Sequence, residues 1–195
     1  IATENYALPV TSYPFLTTPI TQPITAESVV IIDRDSKTVL FQKNSQVRFS
    51  MASTTKLMTA LVAAEHFKPD DILTAYTSHV EGVNVGVEVG DKLYFKDALF
   101  ALLLPSGNDI ALMMAQNYLG GEEMFVRRMN QKAKDLHLVN THFEDLAGLN
   151  DDGNYTTVGE LAELAIYFSN SPQVSVVTAT KSTIISTVDG NKTFA

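Results

Sequence analysis

The sequence predicts an α+β fold, and three observations carry the prediction. A strand pair opens the patterned part of the chain. A second strand pair closes it, and a long helical middle runs between them. That order of runs, rather than strict alternation, is the signature of α+β proteins. It also predicts a sheet assembled from the two ends of the chain. With 195 residues, 45% of them hydrophobic and 18% charged, the chain reads as globular and long enough to bury a core without disulfides or metal.

Each element has a local reason. Four of the seven prolines, Pro9, Pro14, Pro19 and Pro23, fall in residues 1–27 among many threonines. This composition predicts an extended N-terminal arm, leaving residues 28–195 as the folded unit. Val29–Ile32 and Thr38–Lys43 are apolar-rich runs around a polar Asp33–Lys37 turn, a β-hairpin pattern. Ala52–Phe67 is apolar nearly all round, as a core helix should be. Tyr94–Leu104 is a second apolar helix, stopped by Pro105-Ser106-Gly107-Asn108. Asp109–Leu119 resumes as helix and ends at Gly120-Gly121. Glu122–Leu138 is amphipathic, with Met124, Phe125, Met129 and Ala133 on one side. Thr157 and Glu160 form a capping-box pattern opening a helix through Phe168, which ends over Ser169–Pro172. Ser182–Val188 and Lys192–Ala195 read as strands around the Asp189-Gly190 turn.

Several functions are excluded at once. The formal charge of −8 argues against a nucleic-acid partner, which needs a basic face. The absence of cysteine removes thiol nucleophiles, disulfides and zinc–thiolate sites. His66, His79, His137 and His142 are scattered with no ligand spacing, so no metal and no cofactor is implied. The longest apolar run, Ala98–Pro105, is far shorter than the roughly 20 residues needed to span a bilayer. Asp70-Asp71 and Asp151-Asp152 read as solvated loop charges, Arg127-Arg128 as an exposed helix face.

Two short patterns carry chemistry. In Ser53-Thr54-Thr55-Lys56 the serine and lysine are three apart, so a helix places them on one face. A lysine made neutral by burial can deprotonate a serine, and the helix start supplies free N–H groups for an oxyanion. Thirteen serines and ten lysines could produce one such pair by chance, and Ser53 could be a plain N-cap. Ser106-Gly107-Asn108 sits at a packed corner between two apolar helices. It is either an ordinary turn or a rigid mount for a hydroxyl and a carboxamide.

Together, Met51–Leu61 and Leu102–Ala111 resemble the penicillin-recognising serine D,D-peptidases, and in particular the low-molecular-mass D-alanyl-D-alanine carboxypeptidases. Thr141-His142-Phe143, then Gly148-Leu149 through Tyr155-Thr156-Thr157, resembles a further segment of that family. Asn154 stands where the family often has histidine. The resemblance runs from about Ala26 to the end of the chain. It implies the β-lactamase/penicillin-binding transpeptidase-like fold, a helical core with an antiparallel sheet. It implies Ser53 as acylated nucleophile and Lys56 as its base, neutral in the free enzyme. Ser106 would relay the proton to the leaving nitrogen. Asn108 would bind the peptide carbonyl and help hold Lys56. The Ser53 N–H would form half of an oxyanion hole. The implied substrate is the peptidoglycan stem peptide ending in D-Ala–D-Ala, with β-lactams acylating the same serine. Because peptidoglycan lies outside the cytoplasmic membrane, the protein is expected to be exported to the cell envelope.

One departure stands out. The family's Lys-Thr-Gly strand motif is missing. Lys37-Thr38-Val39 and Lys192-Thr193-Phe194 lack the glycine, and Lys192-Thr193 is expected to be a decoy. The expectation is that the later sheet strands, with that motif, lie on residues beyond Ala195 or on a second chain. A β-lactamase is disfavoured, because Ser106-Gly107-Asn108 is not Ser-Asp-Asn and Glu160 and Glu163 lack the context of a deacylating glutamate. A D,D-endopeptidase of the same superfamily and a non-catalytic, vestigial penicillin-binding module remain as alternatives.

Overall fold

The computed structural model describes residues 24–150 and 152–194. The arm expected over residues 1–27 therefore lies outside the described residues apart from its last four. There, the carbonyls of Ile24 and Ala26 accept bonds from Lys43 Nζ, and that of Glu27 accepts one from Asn44 Nδ2.

Strands β1 (Val29–Ile32) and β2 (Val39–Lys43) form the first hairpin, with Val29 opposite Lys43 and an irregularity at Ile31/Ile32. Its turn is an Asx turn: Asp33 Oδ1 accepts from the Ser36 N–H and hydroxyl. β3 (Arg48–Ser50) leads into a 3₁₀ turn at Ala52–Thr55 and then α1 (Lys56–His66). The expected helix from Ala52 is thus divided, with the tight turn at its start. α1 is buried over Met58–Ala63 and packs against all five helices that follow. An apolar sequence on all sides allows it to serve as the centre of the core.

β4 (Ile72–Thr74) pairs with β5 (Lys92–Tyr94), which runs directly into α2 (Phe95–Leu103). α3 (Asn108–Gln116) ends earlier than its pattern suggests. Asn117 donates from Nδ2 to the carbonyls of Met113 and Thr74 and accepts from the Thr74 N–H, tying the helix end to β4. α4 (Gly121–Asp135) is followed by β6 (Tyr155–Thr157) and α5 (Val158–Ser169). The Thr157 hydroxyl accepts from the Glu160 N–H, as the capping box predicts. Glu160 does not return the bond; its carboxylate instead accepts from Asn140 and Thr141. Pro172 ends one helix and opens another, α6 (Pro172–Thr178), because a proline without an N–H suits a first helical position.

The α+β class holds, but the expected sheet joining the two ends does not form among the described residues. The last hairpin, β7 (Ile185–Ser186) with β8 (Thr193–Phe194), pairs only within itself. Among the described residues there are four two-stranded sheets. The first hairpin lies on α5 and the last on α2, so different helices cover the two. The pairing that matters for the site is β3 with β6, Arg48 opposite Thr157 and Ser50 opposite Tyr155. It lays the segment before Ser53 alongside the segment after Asn154.

Candidate active site

Met51 is buried, and its N–H donates to the Asn154 carbonyl at 3.3 Å. Ala52 follows with φ of +44°, a backbone conformation costly for a residue with a β-carbon. The chain thus turns sharply, and Ser53 emerges exposed on the 3₁₀ turn. One turn on, Lys56 is only 2% exposed. Its ammonium nitrogen lies 3.3 Å from Ser53 Oγ and 3.2 Å from the Ala147 carbonyl oxygen. Burial pushes the Lys56 pKa below the ordinary lysine range, and the negative charge of Asp145 partly opposes the shift. A lysine so placed can accept the serine proton, leaving an alkoxide able to attack a carbonyl carbon.

The carbonyl on Lys56 comes from a tightly bonded loop. Asp145 Oδ1 accepts from the N–H groups of Ala147 and Gly148, and Oδ2 from those of Leu149 and Asn150. Burial alone would raise the Asp145 pKa, but these bonds hold it below the usual carboxylate range. Asn154 Nδ2 adds a bond to Asp145 Oδ2 at 2.6 Å and donates to the Asn150 carbonyl. Its Oδ1 accepts from the N–H groups of Glu144 and Asp145. Asn154 is thus a buried amide that closes the loop. The Thr59 hydroxyl, one turn beyond Lys56, donates to the Leu146 carbonyl at 2.6 Å.

The second wall is the α2–α3 corner. Ser106 has φ of +67°. Gly107 is required next to it, since a β-carbon there would lie 2.6 Å from Val85 Cγ2 and 2.9 Å from the Ala101 carbonyl. The Ser106 hydroxyl is buried and makes no hydrogen bond within the protein. Asn108 is buried, and its Nδ2 donates to the Glu81 carbonyl at 2.7 Å. It lines a cleft with Leu112, Asp145, Ala147 and Leu149.

The structure thus brings Ser53 and Lys56 into direct contact and sets Asn108 on a wall shared with Ala147. The expectation that Asn108 helps hold Lys56 is corrected. Asn108 Nδ2 donates to the Glu81 carbonyl, no bond joins Asn108 to Lys56, and the second acceptor of Lys56 is a backbone carbonyl. Ser106 is bonded to neither Ser53 nor Lys56. Lys192 is tied to the Gly86 carbonyl and Asp91, and Phe194 is buried, as suits a hairpin anchor rather than a substrate clamp. Glu163 pairs with Lys37, so neither glutamate of α5 is free.

Sequence reading missed Asp145 and Asp109. The Asp109 carboxylate accepts from the N–H groups of Val85, Gly86 and Val87, stapling the glycine-bearing loop to the start of α3. The signal for Asp145 was available: an aspartate two residues before Ala-Gly fits an Asx-type turn. Among the described residues no cluster of three metal-ligating side chains occurs, and no helix is long and apolar enough to cross a membrane.

A serine hydroxyl one turn before a buried amine, carried on the central helix of an α+β core, defines a serine–lysine site of the kind used for acyl transfer. Residues 16–194 match the peptidase S11 family, described as D-alanyl-D-alanine carboxypeptidase, and the chain belongs to that family. It is 37% identical over 147 residues to the D-alanyl-D-alanine carboxypeptidase DacF of Bacillus subtilis, covering 72% of this chain and 38% of the relative. It is 34% identical over 161 residues to a D-alanyl-D-alanine endopeptidase of Pseudomonas aeruginosa, covering 80% of this chain and 52% of the relative. The crystal structure of the Streptomyces K15 DD-transpeptidase superposes with a TM-score of 0.81 at 30% identity, covering 90% of this chain and 75% of that one. The matched part of the chain therefore spans 38% and 52% of the length of these two curated relatives.

Proposed function

We propose that the protein is a serine D,D-carboxypeptidase that removes the terminal D-alanine from peptidoglycan stem peptides. The observation that carries this is the 3.3 Å approach of the buried Lys56 amine to the exposed Ser53 hydroxyl. Ser53 Oγ attacks the carbonyl carbon of the penultimate D-alanine while its proton passes to Lys56. The tetrahedral intermediate collapses and the peptide bond breaks; the Ser106 hydroxyl gives its proton to the departing amine and is resupplied by the proton held on Lys56, which leaves Lys56 neutral. Water then attacks the acyl carbonyl, Lys56 takes its proton, and that proton returns to Ser53 Oγ as the acyl group leaves. Asn108 presents its carboxamide to a backbone carbonyl of the substrate, and the Ser53 N–H faces the developing oxyanion. β-Lactams would acylate the same serine. Since peptidoglycan lies outside the cytoplasmic membrane, the reading includes export to the cell envelope.

The endopeptidase relative supports a second reading in which the same acyl transfer cuts cross-links between stem peptides. Fluorescent penicillin should label the wild-type chain and not Ser53→Ala. Unchanged labelling of the variant sinks the assignment of Ser53. D-Alanine release from a peptide ending in D-Ala–D-Ala, set against cleavage of a cross-linked dimer, separates the two substrates.

A further inference from the structure

Four tethers run from the 145–154 loop to the segment that carries Ser53 and Lys56. The Ala147 carbonyl meets Lys56 Nζ, and the Leu146 carbonyl meets the Thr59 hydroxyl. The Asn154 carbonyl meets the Met51 N–H. Gly148, with φ of +81°, lies directly against the Ala52 backbone. One carboxylate organises all four, because Asp145 gathers four successive N–H groups of this loop and the side chain of Asn154.

We propose that Asp145 is a positioning residue for the Ser53–Lys56 pair. Its carboxylate shapes the loop whose backbone aims the lysine at the serine and braces the turn that presents the serine. The proposal rests on the reading of Ser53 and Lys56 as nucleophile and base. Asp145 is not itself a base for the hydrolytic water. Oδ1 already accepts two bonds and Oδ2 three, so no lone pair is free to take a proton. The negative charge of Asp145 acts on Lys56, whereas the two groups bonded to the amine, the Ser53 hydroxyl and the Ala147 carbonyl, are neutral. Its charge favours the protonated amine while burial disfavours it. Asp145 thus sets the direction of the amine and opposes part of the lowering that burial imposes on its pKa.

The test compares wild type, Asp145→Asn and Asn154→Ala. The first variant removes the charge and turns an amide N–H₂ toward N–H donors. The second loosens the loop and keeps the charge. Three quantities are measured: the titration of Lys56 by ¹⁵N NMR of lysine side chains, amide exchange over residues 147–150, and the pH profile of acylation by fluorescent penicillin. In Asp145→Asn the Lys56 midpoint should fall, the acidic limb of acylation should move to lower pH, and the plateau rate should drop about 10²-fold through misplacement. In Asn154→Ala the amides should exchange faster while the midpoint stays within error. A purely structural role would move the plateau without moving the limb. If wild type is not acylated, the functional reading falls, but the titration and exchange still decide the role of Asp145. If Asp145→Asn does not fold, faster exchange with a reduced acylation rate in Asn154→Ala upholds the positioning role. Unchanged titration in Asp145→Asn, or unchanged exchange in Asn154→Ala, overturns the proposal.

Discussion

Gly148 lies so close to Ala52 that a β-carbon on the glycine would sit 1.8 Å from the alanine carbonyl oxygen. Two backbones separated by 96 positions in the sequence are thereby pressed together next to Ser53, and both have positive φ. Gly148→Ala must displace one of them. The variant should lose about 3 kcal/mol or more of stability, of which the left-handed backbone alone accounts for about 1–2. Urea unfolding measures this. A loss below about 1 kcal/mol would show that the contact can relax without cost.

Lys56 is held where its charge is poorly solvated, so it should cost the protein stability. Its folded pKa lies below its unfolded value, and the unfolded chain therefore binds more protons between the two. In that window stability rises with pH. Lys56→Met fills similar volume without a charge and should raise the melting temperature while abolishing acylation. The gain should be largest at neutral and acidic pH and should shrink as pH climbs toward the ordinary lysine value of about 10.4. Melting curves across pH give the sign directly, and a gain that grows with pH would contradict it.

The start of α5 separates a cap from a clamp. Thr157→Ala removes one bond to the Glu160 N–H and should cost about 1 kcal/mol. Glu160→Ala leaves the Asn140 N–H and the Thr141 hydroxyl without their carboxylate partner. It should cost about 2–3 kcal/mol, as bonds to a charged acceptor do. Equal losses in the two variants would mean that solvent replaces the carboxylate freely.

Lys132 is the other nearly buried amine, and its environment works in the opposite direction. Burial would lower its pKa, but ion pairing with Glu65 and a 3.0 Å bond to the Tyr167 hydroxyl raise it. Glu65→Ala strands that charge and should cost about 1.5–3 kcal/mol. Lys132→Met, which removes the charge instead, should be much milder. Chemical denaturation ranks the pair, and the reverse order would refute the account.

The parts of this molecule that could be read from sequence are those fixed by short-range chemistry. The all-round apolar stretch gave α1, the Asp33–Lys37 turn gave the first hairpin, and Thr157 with Glu160 gave the start of α5. The spacing of Ser53 and Lys56 placed the central pair correctly, because three positions along a helix dictate proximity. Three-residue strands such as β3 and β6 have too little pattern to announce themselves, and their pairing across the chain is a tertiary matter. The same holds for the Ala147 carbonyl, since a backbone oxygen carries no sequence signature. Asn108 was expected to reach Lys56, but no bond joins the two, and its Nδ2 donates to the Glu81 carbonyl. The two terminal hairpins were expected to share a sheet, yet they rest on different helices.

The bond from Lys56 to the Ala147 carbonyl spans 91 positions, whereas the bond to Ser53 spans three. A nascent chain can therefore form the serine–lysine turn early, as an exposed segment with an ordinary, fully charged lysine. The amine acquires its perturbed character only with burial, and its bond to Ala147 requires a long-range contact. On the acyl-transfer reading, reactivity at Ser53 is withheld until the amine is buried. A misfolded or half-synthesised copy would carry the right residues in the right order and still be inert.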